Sequence, residues 1–470
     1  MTDDANDEAR YPTLSPEGRR MLQFLREHPH APLYRNQSGN RLRPADIAEY
    51  RAFERTILAS APQWTPNEPP PFARAAAASC YQAVPFFRRR GALPRTFQEI
   101  EPTKRSDLSR DIAQFVPDHA PLERLINFST SGLTGEPLLL PSHPVVAAKY
   151  LALLKKALHL KGLELRHGRG QVGVVLVGYQ QPCFTYVSVT PMMEESGLAK
   201  INLHPSDWRR PEDPALYLDA LNTELYTGDP IGFAALAKLP LTTRPKALIS
   251  TSMTLLDAHR RSPEEHFGCP VLDVYSMNEA GTIAVAHGAG HVLLQPGLYI
   301  EILGPDGETL PAGARGEITL TGGFNPYLPL LRYRTGDYAA LESVRGSVTL
   351  VGLEGRPPVM YQNSAGAWFN NINITHKLKE FPLSQFTLRQ RADRSVLLQV
   401  REREIPPTNL ERALVSLFGA GISVTIESGI AFPDKVVQFT SELSQSWTEG
   451  DANARSASAI RASSDPVNGT

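Results

Sequence analysis

The chain has 470 residues, with 48 Lys plus Arg against 49 Asp plus Glu and a formal charge of −1. Near balance excludes the bulk basic footprint of a nucleic-acid or anionic-membrane binder. Three distant cysteines, Cys80, Cys183 and Cys269, give neither a disulfide framework nor zinc-ligand spacing, and 40 Pro with 34 Gly argue for many turns and against a helical bundle.

Residues 1–10 are acidic and polar and read as disordered, without the basic and apolar regions of a secretory signal. No apolar run reaches the roughly 18 residues of a membrane span, so a cytoplasmic location is expected. Ser15-Pro16 places an N-cap and an N1 proline ahead of a helix whose apolar side is Met21, Leu22, Phe24 and Leu25. A second amphipathic stretch runs from Pro44 to Leu58, and a Pro-rich loop follows from Ala61 to Pro71. Residues 144–160 predict a helix with Lys149, Lys155 and Lys156 on its outer face. After Gly170 the texture changes. Residues 171–178 form a β-branched run bounded by glycines, which predicts a strand buried on both faces. Similar runs at Ile231–Ala235, Ala247–Ser250 and Val271–Tyr275, with helical segments between, predict βαβ units in a mainly parallel sheet. From residue 297 the spacing shortens, and strands on either side of Pro305-Asp306-Gly307 predict a hairpin. Residues 347–356 add a strand, and residues 386–440 form a compact strand–helix set. Beyond Ser444 the sequence has little to bury and reads as disordered.

Five motifs stand out. In Phe128-Ser129-Thr130-Ser131-Gly132-Leu133-Thr134-Gly135-Glu136-Pro137, glycines permit close backbone approach and hydroxyls add donors, which suits a phosphate cradle. A Ser/Gly turn between strands fits the same composition. Tyr275-Ser276-Met277-Asn278-Glu279 follows a buried apolar run, and the end of a parallel strand is where an α/β sheet binds ligands. A carboxylate there suits Mg²⁺ held against phosphate oxygens. Pro329-Leu330-Leu331-Arg332-Tyr333-Arg334-Thr335-Gly336-Asp337 sets an Asp after a tight Gly turn, able to accept both hydroxyls of a ribose. Gly355-Arg356 and Asp434-Lys435 complete the series.

In this order the motifs resemble the adenylate-forming (AMP-binding) enzyme superfamily, and most of all its phenylacetate–CoA ligase-like branch. That branch shares the run from Ile100 to Leu108 and Pro329-Leu330 before the Arg-Tyr-Arg-Thr-Gly-Asp segment. The resemblance covers roughly residues 85–440. It implies an α/β fold with a large N-terminal domain of βαβ-containing sheets, helices and a β-rich subdomain. A small α+β C-terminal domain would follow, joined by a hinge. The expected units are 1–354, 355–443 and a tail at 444–470. It further implies ATP-dependent activation of a carboxylic acid as an acyl adenylate, with transfer to coenzyme A or to the phosphopantetheine of an acyl carrier protein. Thr130, Ser131, Gly132, Thr134 and Gly135 match the loop that binds ATP phosphates. Glu279 matches the acidic residue near Mg²⁺, Tyr275 the segment beside adenine and the acyl group, Asp337 the ribose-binding Asp, and Arg356 the Arg near ribose and the hinge. Lys435 is the candidate for the late Lys that bridges carboxylate and phosphate. By position, Tyr179 and Phe184 border the acid pocket and suit a planar aromatic acid, although aromatics of this kind also serve as core.

The chain departs from the superfamily's pattern at four places. Leu133 stands where Ser or Thr is usual and Glu136 where Lys is usual. Pro357-Pro358 replace the acidic hinge residues, and proline fixes φ and restrains its neighbour. Asp434 occupies the usual glycine before Lys435. The proline pair favours, as alternatives, an adenylate-forming enzyme with a nitrite, amine or hydroxyl acceptor. The altered phosphate loop favours a nucleotide-binding homologue without turnover. No residue pattern bears on the oligomeric state.

Overall fold

The computed structural model describes residues 4–129, 138–180, 183–253, 255, 257–304, 306–354, 359–378, 380–381, 383, 386–431 and 438–443. Two strands, β1 (Ile126–Ser129) and β2 (Leu139–Ser142), pair antiparallel as a hairpin stem. A central sheet of twelve strands follows. Its members are β3 (Val172–Gly178), β4 (Tyr186–Thr190), β5 (Ser196–Asn202), β6 (Leu225–Gly228), β7 (Ala247–Ser250), β8 (Val271–Met277), β9 (Gly281–His287), β10 (Gly290–Leu293), β11 (Leu298–Leu303), β12 (Arg315–Gly322), β13 (Leu330–Val344) and β14 (Ser347–Glu354). Their spatial order is β11-β12-β13-β14-β10-β9-β8-β7-β6-β3-β5-β4. Only β8, β7, β6, β3 and β5 run parallel to one another. The expected mainly parallel part over residues 171–277 is thus present, and past β8 the sheet becomes an antiparallel meander. That half is the β-rich region announced by the shorter spacing after residue 297.

Four local expectations change. Ile231–Ala235 is not a strand but part of the helix Pro230–Leu236. The Asp229 side chain accepts a hydrogen bond from Gly232 N at 2.7 Å, and Pro230 takes N1, so capping outweighs the β-branched run. The strand lies just upstream, at β6. Residues 4–10 form a helix rather than a disordered arm. It is tied down by the buried Asp7 carboxylate, which pairs with Arg26 at 2.7 Å. Ser15 caps the helix Pro16–Glu27 as expected, but of its apolar residues Met21, Leu22 and Leu25 are buried while Phe24 is exposed. The lysines of helix Pro144–His159 do not face water. Lys149 pairs with Glu49 at 2.7 Å, Lys155 with Glu54 at 2.6 Å, and Lys156 donates to Leu58 O at 3.0 Å. All three reach across to the helix Pro44–Ala59, which covers the face the periodicity left polar.

The sheet is buried on both sides. One face is covered by the helices Pro16–Glu27 and Asp213–Leu221, with Leu22, Val175, Ile201, Leu218 and Leu248 in its core. On the other, Leu153, Ala157, Val174, Ile249 and Val274 pack together. After β14, β15 (Met360–Gln362) and β16 (Trp368–Asn370) form a hairpin. β17 (Phe386–Gln390), β18 (Val396–Val400), β19 (Val424–Ser428) and β20 (Phe439–Ser441) form a four-stranded mixed sheet ordered β19-β18-β17-β20. The helix Pro407–Phe418 packs Leu410, Leu414 and Phe418 onto it, and among the described residues this core draws only on 359–439. Among the described residues, no helix is long and apolar enough to cross a membrane.

Candidate active site

The direction of the sheet changes at β8, which is parallel to β7 and antiparallel to β9. Chains diverge at such a point and leave a crevice beyond the carboxyl end of the strand. Tyr275 lies at that end and Glu279 just past it. Asp337 is brought to them by an irregularity in β13. Thr335, Gly336 and Asp337 stand between the pairs Thr319↔Arg334 and Glu317↔Tyr338, opposite Ile318 alone. Such bulges re-aim side chains beside functional sites. Gly336 has φ +79°, which favours glycine. The bulge is held by three bonds: Thr335 Oγ1 donates to Ile318 O at 2.9 Å, Gly336 N to Glu317 Oε1 at 2.9 Å, and Asp337 N to Thr335 Oγ1 at 3.1 Å. Across the crevice the Tyr275 hydroxyl donates to Asp337 Oδ2 at 3.0 Å. Burial and the neighbouring Asp337 carboxylate push the Tyr275 phenol well above its ordinary pKa, so it stays a donor.

A third sequence segment joins the same place. The backbone at Thr103 forms a parallel bridge with Tyr333 on the side of β13 away from β12. Thr103 N donates to Arg332 O and Arg334 N to Thr103 O, both at 2.9 Å, while Thr103 Oγ1 donates to Leu331 O at 3.0 Å. Arg332, 1% exposed, completes the attachment. Its Nη1 donates to Gln98 O and Ile100 O at 2.6 Å each, and its Nε pairs with Glu301 at 3.1 Å. The two arginines of the Arg-Tyr-Arg run thus serve the framework, since Arg334 is held by Glu317 at 2.5 Å. The docked segment delivers Arg105, whose Nη1 lies 2.6 Å from Glu279 Oε1. Tyr333 OH donates to the same oxygen at 3.2 Å, and Tyr150 OH donates to Asn278 O at 2.9 Å. Glu279 is 5% exposed. Burial, with Glu279 nearby, pushes the Tyr150 phenol up to about 12 and raises Tyr333 well above the ordinary range.

Among the described residues, no group of three His, Cys, Asp or Glu is placed to hold a metal. Mg²⁺ is commonly held by one or two carboxylates together with substrate phosphates and water. Glu279 fits that donor set: it is a single carboxylate whose contacts among the described residues, from Arg105 and Tyr333, both fall on Oε1.

The other expected site residues divide into two groups. Thr130, Ser131, Gly132, Thr134, Gly135, Arg356 and Lys435, with Pro357 and Pro358, lie outside the described residues. The stems of the glycine-rich loop are described: Ser129 pairs with Leu139 across β1 and β2, so the loop's two ends leave one hairpin side by side. Tyr179 follows β3 at the same sheet edge as Glu279, about 14 Å from β8 at three strand spacings of about 4.8 Å. It packs against the core and its ring lies 5.5 Å from that of His204. Phe184, 52% exposed, is not core. Cys183 is buried, and burial raises its thiol pKa, as for a small hydrophobe rather than a nucleophile. Motif reading did not single out Arg105, Tyr333 or Tyr150 for the site. The first two lie within quoted motifs, and only the docking of Thr103 on β13 reveals what they touch.

No family model matches the chain. Over 91 residues it is 36% identical to the phenylacetate-coenzyme A ligase of Pseudomonas putida, a match of 18% of this chain to 21% of that protein. The match thus spans about a fifth of the length of that curated relative. Among solved structures, a 2-hydroxyisobutyryl-CoA ligase in complex with 2-HIB-AMP and CoA in the thioesterification state superposes with a TM-score of 0.52 at 15% identity, over 88% of this chain and 93% of that one. The fold is that of the adenylate-forming ligases. The resemblance to that superfamily, first carried by the motif order, stands on both sequence and architecture.

Proposed function

We propose that this protein activates a carboxylic acid with ATP, forming an acyl adenylate and releasing pyrophosphate, and then transfers the acyl group to a thiol. The observation that carries the reading is the convergence of Tyr275, Glu279, Asp337 and Arg105 where the sheet changes direction. A carboxylate is a poor electrophile. Attack of its oxygen on the α-phosphorus of ATP breaks the bond to the β-phosphate and leaves a mixed anhydride. Thiolate attack on the acyl carbon then releases AMP. In this reading Asp337 accepts the ribose hydroxyls and Tyr275 fixes the carboxylate that does so. Glu279 is the carboxylate on the phosphate side. Mg²⁺, when bound there, would neutralise charge developing on phosphate oxygens. The loop around Thr130–Gly135 would offer N–H groups and hydroxyls to the phosphates, with Thr134 nearest the reacting group. Lys435 would bridge substrate carboxylate and phosphate.

The unit from 355 to 443 is proposed to move as a body about a hinge at Arg356, because a small domain with its own core can rotate without opening another. The acid is proposed to be planar and aromatic, with Tyr179 and Phe184 at the edge of its pocket. The thiol is that of coenzyme A or of a carrier-protein phosphopantetheine. A second reading, a non-thiol acceptor, rests on Pro357-Pro358 at the hinge position. Mass-spectrometric product analysis with ATP, Mg²⁺ and a panel of acids, with and without coenzyme A, tests the assignment. AMP with an acyl thioester only when coenzyme A is present supports thiol transfer; AMP with an amide or ester when an amine or a hydroxyl compound is added, or AMP release that depends on added nitrite, supports the second reading. Release of ADP in place of AMP contradicts both.

A further inference from the structure

Arg105 is part of the convergence above but is assigned no step in the proposed chemistry, and its place is fixed by the fold. Two residues before it, Thr103 is bonded on both sides to the β13 backbone. The guanidinium is therefore presented to Glu279 by the sheet as well as by its own stem. Of the three arginines at this junction, Arg332 is buried against Glu301 and Arg334 is held by Glu317. Arg105 keeps 22% of its side-chain surface in solvent, little more than Arg334 at 18%, and what sets it apart is its position: its Nη1 contacts Glu279, a carboxylate 3% exposed just past the end of β8, whereas Arg334 is tied to Glu317 within the β12–β13 pair. The framework does not need that contact. Attachment of the 98–103 segment rests on Thr103 and Arg332, and Tyr333 already supplies Glu279 with a neutral donor. What the contact does supply is charge. A buried carboxylate is costly without a counter-ion, and a guanidinium and a divalent cation compete for the same oxygens. A guanidinium displaced from a carboxylate keeps a planar fork suited to phosphate.

We propose, resting on the ATP-dependent reading above, that Arg105 is an exchangeable counter-ion. In the ligand-free protein it neutralises Glu279. When the magnesium nucleotide binds, it yields that carboxylate to the cation and engages phosphate oxygens. Asp337 and Tyr275 lie on the ribose side of the crevice and Glu279 on the phosphate side, so Arg105 acts beyond the α-phosphate, and AMP does not use it.

The test is equilibrium binding to the full chain, wild type, Arg105→Met and Arg105→Lys, with three probes: Mn²⁺ alone, Mg-ATP and AMP. Arg105→Met is expected to bind Mn²⁺ alone several-fold more tightly, because the competing cation is gone. It is expected to bind Mg-ATP roughly tenfold more weakly, the loss of one charge-assisted contact, and AMP as wild type does. Arg105→Lys, which keeps the charge but not the fork, falls between them for Mg-ATP. Equal weakening of AMP and Mg-ATP with a lowered Tm would make Arg105 a structural residue and overturn the proposal. So would unchanged binding of Mn²⁺ and Mg-ATP in both variants. If the wild type itself binds no Mg-ATP, the reading of the site as ATP-dependent fails and this proposal falls with it. If the wild type binds and the variants match it, only the proposal falls.

Discussion

Tyr275 and Asp337 are separated by 61 intervening residues and meet at 3.0 Å because one strand changes the sheet's direction and another bulges toward it. Removing the Tyr275 hydroxyl leaves the Asp337 carboxylate less constrained. The net worth of such a bond is about 1 kcal/mol, or roughly fivefold in affinity. Tyr275→Phe should therefore raise the KM for ATP about fivefold with little change in kcat. Asp337→Ala, which removes the proposed ribose acceptor itself, should weaken ATP and AMP alike by tenfold or more. Titration of both nucleotides against each variant checks this. Loss of ATP binding with AMP retained would move Asp337 to the phosphate side. Lys435 belongs to the same scale: Lys435→Ala should abolish adenylate formation while ATP still binds, and unchanged turnover would remove Lys435 from the mechanism.

The bulged strand β13 and the segment docked on it stand or fall with the buried Glu301–Arg332 pair, both members 1% exposed. Breaking a buried pair on one side leaves an uncompensated charge, typically 3–5 kcal/mol destabilising. Glu301→Gln and Arg332→Met should each cost about that much in urea unfolding. The double variant should cost less than the sum of the two, a coupling that a double-mutant cycle reads directly. Glu224 gives an acid signature to the strand ends around β6. Burial alone would raise its carboxyl, but Lys246 and the N–H groups of His167 and Arg166 outweigh that and lower it below the ordinary value of 4.5. A carboxyl with a lowered folded pKa contributes stability that is complete above its unfolded pKa and is lost as pH falls through the folded one. Glu224→Gln should therefore be about 1–3 kcal/mol less stable than wild type at pH 7. The gap should close as pH falls from the ordinary carboxyl value of 4.5 through the lowered folded one, and a constant gap would contradict the assignment. At this scale the sequence was legible where one force dominated. β3 reads from its β-branched run, the helix Pro16–Glu27 from its cap, and the hairpin β11–β12 from its turn. It misled where local and tertiary forces compete. Ile231–Ala235 looks like a strand until Asp229-Pro230 is read as a cap. The lysines of 144–159 look exposed until a second helix covers them. The motifs named Tyr275, Glu279 and Asp337, but Arg105 and Tyr333 became part of the site only through a parallel bridge that no spacing encodes.

For the molecule as a whole, the architecture joins a twelve-stranded sheet to a unit with a separate four-stranded sheet and core. The proposed two-step reaction would give that separation a purpose, since one unit could present different residues to the crevice in turn. Pro357-Pro358 stand at the expected hinge, and proline narrows the dihedrals through which a hinge turns. Replacing both with Gly should speed thioester formation relative to adenylation, as measured by single-turnover transfer from preformed adenylate. Equal rates would relieve the prolines of that role. Formation of acyl adenylates in this crevice would appear as exchange of labelled pyrophosphate into ATP across a panel of aromatic and aliphatic acids. Exchange should require both Mg²⁺ and a particular acid, and should be lost in Lys435→Ala. Absence of acid-dependent exchange across the whole panel, in protein that binds ATP, would contradict adenylate formation.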